Sequence, residues 1–208
     1  MRWPLAGSLT VTLEIARRFR SVNTSTPLIV MGYANPIHRM GFAAFAKAAA
    51  DAGVDGVITV DLPPEEDAPL RTELAKHGLA VIRLATPTTS EKRMETVANG
   101  SSGFVYYVSV AGVTGAGVGA QQDISAGVER AKRISKLPVA VGFGVRTPEQ
   151  AAAFARISDG VVVGSALVEE VRAAVEQGDP ASSVKRISVV AKTLSNAIVM
   201  ARRDRSVH

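Results

Sequence analysis

Glycine-rich turns that follow apolar runs are the residues of this sequence best suited to chemistry. Gly142 and Gly144 come after the apolar run 138–141, and Gly164 and Ser165 follow a second run and open a helical pattern. Glycine lets backbone N–H groups approach an anion closely, and the N-terminus of a helix adds partial positive charge. Taken together, these turns predict a phosphate-binding site.

A third glycine-rich segment covers residues 111–119 and contains four glycines. It lacks the Gly-x-x-x-x-Gly-Lys-Ser/Thr pattern of a P-loop, so a nucleotide site of that type is not expected. A segment of this composition suits a lid that closes over a substrate. A plain flexible crossover is the alternative interpretation.

One aspartate and three tyrosines also follow or interrupt apolar runs. Asp61 ends the run 57–60, where its carboxylate could act as a base or hydrogen-bond anchor, or could merely cap the next turn. Tyr33, Tyr106 and Tyr107 could line an aromatic-sized pocket, or could be buried with bonded hydroxyls. Because side chains alternate along a strand, only one of the last two can face a barrel interior.

Several classes of functional site are not expected, because the sequence lacks the residue patterns that they require. The three histidines, His38, His77 and His208, form no metal-ligand pattern, and with no cysteine present a metal centre is not expected. The Gly-x-Ser-x-Gly turn of serine hydrolases is absent. The net charge is +5, but basic residues are scattered over helical patterns and aromatic residues make up only 5%, which disfavours nucleic-acid binding.

No apolar run is long enough for a signal peptide core or a membrane span, so we expect a soluble, cytoplasmic protein. The strands that must position the turns are short β-branched runs separated by helical patterns, which indicates an α/β fold with a parallel sheet. They are predicted near residues 28–31, 57–60, 80–84, 104–108, 139–141 and 160–163. No linker interrupts the chain, so we expect a single domain over residues 1–208.

Read in order, the segments at the strand ends resemble one family, the tryptophan synthase alpha subunit. The matching segments are 30–36, 54–57, 61–66, 84–89, 106–109, 111–115, 142–145 and 164–166, within about residues 5 to 203. No single motif suffices, but the Gly-Val-Thr-Gly segment combined with the Gly-Phe-Gly and Gly-Ser turns is specific. One position departs from the family pattern, because Val110 stands where an arginine is common.

The resemblance implies a (β/α)8 TIM barrel that cleaves indole-3-glycerol phosphate to indole and glyceraldehyde 3-phosphate in tryptophan biosynthesis, a branch of aromatic amino acid biosynthesis. It implies a partner, the tryptophan synthase beta subunit, in an alpha2-beta2 heterotetramer. Pyridoxal phosphate belongs to that partner, so the chain itself is expected to bind no cofactor. A complete barrel takes about 250 residues. We therefore expect an incomplete barrel with six parallel strands and flanking helices, lacking the first two strands.

The resemblance also implies roles for individual residues. The phosphate contacts would be Gly115, Gly144, Gly164 and Ser165. The indole pocket would be lined by Met31, Tyr33, Ile58, Leu84, Tyr106 and Phe143, and Thr114 would be the lid residue that reaches the catalytic aspartate. The segments facing the beta subunit would carry Asn35, Pro36, Asp61 and Pro63.

The catalytic carboxylates of the family have no counterpart here. The chemistry needs one group to protonate C3 of the indole ring and another at its nitrogen, yet the first acid in the chain is Glu14, inside a predicted helix. We therefore predict no catalytic residue in this chain and no cleavage by it. Three hypotheses remain: part of an ordinary lyase, a shortened product acting as a non-catalytic binding or regulatory partner of a beta subunit, or another phosphate-binding barrel enzyme.

Overall fold

The computed structural model describes residues 8–109, 118–142 and 144–205. The chain divides into two compact units, of which unit 1 comprises Met1–Leu84 and Glu95–Phe104, and unit 2 comprises Ala85–Met94 and Val105–His208. Three parallel strands run through each unit. The prediction of an α/β fold with six parallel strands is confirmed. That of a single domain over residues 1–208 stays a prediction.

Unit 1 is built on the strands β1, β2 and β3, which are short because each is a compact apolar run. They cover Ile29–Gly32, Gly56–Thr59 and Ala80–Ala85. The register aligns Val30 with Val57 and Val57 with Val81, so these valines share one face of the sheet. That face packs against the helices of the unit, since the three valines belong to or contact its hydrophobic core.

Four helices lie wholly within unit 1. They are α1 (Leu9–Val22), α2 (Ala34–Met40), α3 (Phe42–Asp51) and α4 (Ala68–Lys76). The hydroxyl of Ser8 accepts the N–H of Val11 and so caps the start of α1. Phe45 and Leu74 are the largest fully buried helix residues of the core. Helix α2 does not appear among the sequence predictions, and it contains His38.

Unit 2 repeats the arrangement with strands β4, β5 and β6. They cover Val105–Val108, Val139–Gly142 and Gly160–Val162 and pair in parallel. Its helices are α6 (Val118–Ser135), α7 (Pro148–Ile157), α8 (Ser165–Glu176) and α9 (Ser183–Arg205), and a short 3₁₀ helix at Pro180–Ser182 precedes the last. Helix α5 (Glu91–Ala98) contains residues of both units.

A local signal in the sequence fixes the start of helix α7. Helix α7 begins with a capping box in which the Thr147 side chain accepts the N–H of Gln150 and the Gln150 side chain accepts the N–H of Thr147.

Helix α9 packs mainly against α7 and α8, where Leu194 and Ala201 are buried. Val184, near the start of α9, is exposed.

The strand positions agree with the sequence prediction to within one or two residues at each end. This agreement reflects the near-continuous apolar runs that are typical of strands in a parallel sheet. Among the helices of the described part of the chain, none is both long and apolar enough to span a membrane.

Candidate active site

Four of the predicted substrate-binding residues lie on one face of the sheet in unit 1. Met31 aligns with Ile58, which aligns with Ile82, and Leu84 lies two residues further along β3. Tyr33 follows two residues after Met31 in extended backbone, at φ −88° and ψ 153°. Because side chains alternate along strands, the four share the face opposite Val30, Val57 and Val81.

Exposure differs along this face. Tyr33 is 64% exposed and Met31 is 54% exposed, whereas Ile58 is buried and Leu84 is half-buried. Tyr33 is therefore not a packed core tyrosine. An apolar surface with one hydroxyl beside it has the chemistry to hold an aromatic ring with a polar edge.

A cavity of about 280 Å³ opens in unit 1 where α1, β1 and α2 meet. Its lining is Ser8, Leu9, Thr12, Val30, Met31, Gly32, Tyr33, Pro36, Ile37, Phe45 and Val57. The Ser8 hydroxyl is engaged in the cap of α1, and the Thr12 hydroxyl donates to the Ser8 carbonyl at 3.2 Å. Sequence reasoning missed the residues from α1, because nothing in the helical pattern tells which strand the helix will contact.

The predicted partner-facing segments of unit 1 contact each other. Asp61 follows β2, and its Oδ1 accepts the N–H of Ala34, the first residue of α2, at 2.7 Å. Asn35 and Pro36 lie in the first turn of that helix. Asp61 is thus a hydrogen-bond anchor that joins the loop after β2 to the start of α2, one of the roles left open by the sequence.

Tyr106 and Tyr107 on β4 point to opposite faces of the unit 2 sheet. A Cβ added at Gly142 on β5 would lie 2.9 Å from the Tyr106 hydroxyl oxygen, whereas the Tyr107 hydroxyl lies against Gly127 of helix α6. Burial raises the pKa of both tyrosines, so both hydroxyls are protonated at neutral pH. The Tyr107 hydroxyl has no hydrogen-bond partner among the described residues.

The predicted phosphate turns of unit 2 follow neighbouring parallel strands. Gly142 aligns with Val162, so Gly144 and Gly164 come after strand ends at the same edge of the sheet. Gly144 has φ +76°, a conformation that favours glycine, and Gly164 precedes the 12-residue helix α8. The N–H groups of Leu167 and Val168 bond to the Gly164 carbonyl, so the first N–H groups of α8, beginning with Ser165, remain for an outside acceptor.

Three predicted residues, Thr114, Gly115 and Phe143, lie outside the described residues, as does Val110. Sequence reasoning gave no role to Ser109, which is fully buried at the end of β4. Its N–H and its hydroxyl both donate to the Gly142 carbonyl, at 3.0 and 3.2 Å, and so tie the end of β4 to that of β5. The sequence signal that could have indicated this role is a small polar residue, Ser109, directly after an apolar run.

Within the described ranges, no three His, Asp or Glu side chains lie close enough together to hold a metal ion. Carboxylates are also scarce where catalysis in such a fold would need them. In the segments between each strand and the next helix, acidic residues occur only after β2, in residues 61–67. The apolar face of unit 1 has the chemistry to hold a ring, and the glycine turns of unit 2 have the chemistry to hold an anion. Each unit offers few groups for moving protons.

Comparison with known proteins identifies the family. The family described as "Tryptophan synthase alpha chain" matches residues 5–199. The chain belongs to the tryptophan synthase alpha chain family. The tryptophan synthase alpha chain of Caulobacter sp. (strain K31) is 50% identical over 193 residues, which are 93% of this chain and 70% of that relative.

Solved structures agree with this assignment. The crystal structure of the tryptophan synthase alpha chain from Legionella pneumophila subsp. pneumophila has a TM-score of 0.82 at 40% identity, covering 92% of this chain and 70% of that one. The structure of the tryptophan synthase α2β2 complex from Pyrococcus furiosus has a TM-score of 0.77 at 31% identity, with coverages of 94% and 84%. The predicted fold class, drawn from the barrel of the tryptophan synthase alpha family, is confirmed.

Proposed function

We propose that this chain binds indole-3-glycerol phosphate as part of the lyase that releases indole and glyceraldehyde 3-phosphate in tryptophan biosynthesis. The observation that carries the proposal is the start of helix α8, where Gly164 and Ser165 follow a strand end beside that of Gly144. Backbone N–H groups and the helix dipole at such a terminus favour a phosphate. Gly115 is the remaining proposed contact.

The proposed indole contacts are mainly apolar side chains at strand ends. They are Met31, Tyr33, Ile58 and Leu84 in unit 1, and Tyr106 and Phe143 in unit 2, with Thr114 as the lid residue. Asn35, Pro36, Asp61 and Pro63 are proposed to face a tryptophan synthase beta subunit, whose pyridoxal phosphate would use the indole. A cytoplasmic location is part of the same proposal.

The proton-transfer groups of the reaction are proposed to be absent from the 208 residues of this chain. Cleavage requires a carboxyl group to protonate C3 of the indole ring and a second group at the ring nitrogen. The first carboxylate after the end of a strand is Asp61, two residues beyond β2, and its Oδ1 is engaged with the Ala34 N–H. The chain is therefore proposed to bind the substrate without turning it over.

The first experiment measures indole release by the purified chain, alone and with a purified beta subunit from a bacterial tryptophan synthase. We expect no release of indole above the rate of the buffer blank, because acid and base catalysis each contribute a factor of about 100 or more to such reactions. A complete tryptophan synthase alpha chain serves as the positive control. Turnover above background by this chain would refute the proposed lack of catalysis.

The second experiment tests phosphate binding directly. We expect glycerol 3-phosphate at about ten times its Kd to raise the Tm by about 3 °C. Ser165→Asp, which places a carboxylate where the phosphate would bind, should abolish this shift. Ser183→Asp is the matched control, because Ser183 is also the first residue of a helix but does not follow a strand. An equal shift in all three proteins, or none in the unaltered chain, would contradict the proposed site.

A further inference from the structure

Asp67 stands at the N-terminus of α4 but does not cap the helix. An aspartate at this position usually accepts an N–H from the first turn of its own helix, yet the Asp67 side chain makes no such bond. One of the candidate donors is missing, because Pro69 has no N–H. The carboxylate is instead turned inward, and Asp67 is only 3% exposed.

The inward carboxylate meets Arg83, a buried arginine in the middle of β3. The Nε of Arg83 donates to Oδ2 of Asp67 at 2.7 Å and its Nη2 donates to Oδ1 at 2.9 Å, so the two groups pair side by side. The Nη1 of the same guanidinium donates to the carbonyls of Thr96, Val97 and Asn99 at the end of helix α5. One side chain thus joins three segments of unit 1.

Such a buried ion pair adds little to the free energy of unfolding, but it fixes the orientation of the side chains that form it. Burying both charges costs about as much as their attraction returns, so a hydrophobic pair of similar volume would stabilise the fold equally well. Two parallel hydrogen bonds, however, fix the direction of the Asp67 side chain and hence the backbone that carries it. Gly100 makes room for this, since a Cβ there would lie 3.1 Å from the Arg83 Nη2.

The backbone fixed in this way is the end of the loop 61–66. At its start, the loop is held by the bond from the Ala34 N–H to Asp61, and within it the Glu66 N–H donates to the Pro63 carbonyl at 3.0 Å. Asp61, Glu65 and Glu66 are exposed, so the loop presents a defined backbone to solvent. A loop already held in its bound conformation loses less entropy when a partner binds.

We propose that Asp67 and Arg83 are positioning residues for the docking of the beta subunit. The pair holds the loop 61–66 in the conformation that the partner binds, although both of its side chains are buried in the chain itself. This inference rests on the proposed function, in which Asp61 and Pro63 face that subunit.

The experiment uses the double variant Asp67→Leu/Arg83→Met, which removes both charges and leaves neither one buried alone. Two quantities are measured: the Kd for a tryptophan synthase beta subunit, and the hydrogen-exchange rate of the Glu66 amide in the chain without its partner. We expect the Kd to rise at least tenfold and the Glu66 amide to exchange at least tenfold faster. The amide of Val81, which bonds to the Ser102 hydroxyl, should be unchanged.

Two further variants separate positioning from a general loss of structure. Lys47→Gln/Asp51→Asn removes an exposed ion pair on α3 and should leave both quantities unchanged. Arg83→Lys keeps a charge opposite Asp67 but loses the parallel bonds, so its Kd should lie between those of the unaltered chain and the double variant. If the double variant does not fold, the Kd and the Glu66 exchange rate of Arg83→Lys test the proposal in its place.

A folded double variant that binds the beta subunit as tightly as the unaltered chain would overturn the inference, as would an unchanged Glu66 exchange rate. Failure of the unaltered chain to bind any beta subunit has a different meaning. It would refute the partner named in the proposed function, and the Glu66 exchange rate would then decide alone whether the buried pair holds the loop.

Discussion

The tripeptide Asp-Gly-Val occurs at the start of β2 in unit 1 and at the start of β6 in unit 2, and it makes the same backbone bridge in both. The Asp55 carboxylate accepts the N–H of Leu28 at 2.7 Å, and the Asp159 carboxylate accepts that of Val139 at 2.9 Å. In each case the N–H of the aspartate donates back to the carbonyl of the same residue. The motif therefore ties the first ends of two neighbouring parallel strands together.

The two copies differ in the cation that pairs with the aspartate. Arg20 of α1 contacts Asp55 at 2.6 Å, and its remaining N–H groups donate to the carbonyls of Gly53, Asn23 and Thr26. In unit 2 the cation next to the carboxylate is Lys132 of α6, whose Nζ lies 3.0 Å from Oδ1 of Asp159, while Arg202 of α9 donates to the backbone carbonyl of the same aspartate.

The comparison distinguishes two roles of the Asp-Gly-Val motif, which are to align the strand ends and to anchor the neighbouring loops. The aspartate by itself aligns the strand ends, because its bond to the neighbouring strand is the same in both units. An arginine extends that anchor to the loops between helix and strand, since its planar fork can serve several carbonyls at once, whereas a lysine acts as a point charge.

Removing each aspartate should give the largest difference between the two copies. We expect Asp55→Ala to lower the free energy of unfolding by about 2 kcal/mol, because it leaves a backbone N–H without its charged acceptor and Arg20 without its anion. Asp159→Ala should cost about 1 kcal/mol, since less of the surrounding structure depends on its cation. Urea unfolding followed by circular dichroism measures both.

Asp179→Ala is the control for these two variants, because the Asp179 side chain does not cap the 3₁₀ helix that it precedes. Its effect should stay within about 0.5 kcal/mol. If Asp159→Ala proved the more damaging of the two, the comparison between the units would be wrong.

The sequence was informative wherever burial imposes a pattern on neighbouring residues. Strands of a parallel sheet are typically near-continuous apolar runs, so all six strands could be placed from the sequence. The start of helix α8 at Ser165 was visible as the change from an apolar run to a Gly-Ser turn. The opposite directions of Tyr106 and Tyr107 follow from strand alternation alone.

Features that depend on contacts between distant residues were not predictable in the same way. Arg83 and Asp67 are 16 residues apart, and an arginine inside an apolar run does not indicate which carboxylate will meet it. Helix α2 was missed because it has only seven residues and includes Asn35 and Pro36, which are typical of turns. Its start is stabilised from outside by Asp61, a bond that no local pattern reveals.

Exchanging the two cations should produce a smaller and asymmetric effect. Arg20→Lys keeps the charge next to Asp55 but cannot maintain the bonds to the loop carbonyls, so we expect a loss of about 1 kcal/mol in the free energy of unfolding. Lys132→Arg should change that quantity by less than about 0.5 kcal/mol, because the lysine site already has its ion pair and an exposed pair contributes little. Equal losses in the two variants would show that the arginine fork adds nothing beyond its charge, and the stronger anchoring in unit 1 would then have to come from Asp55 alone.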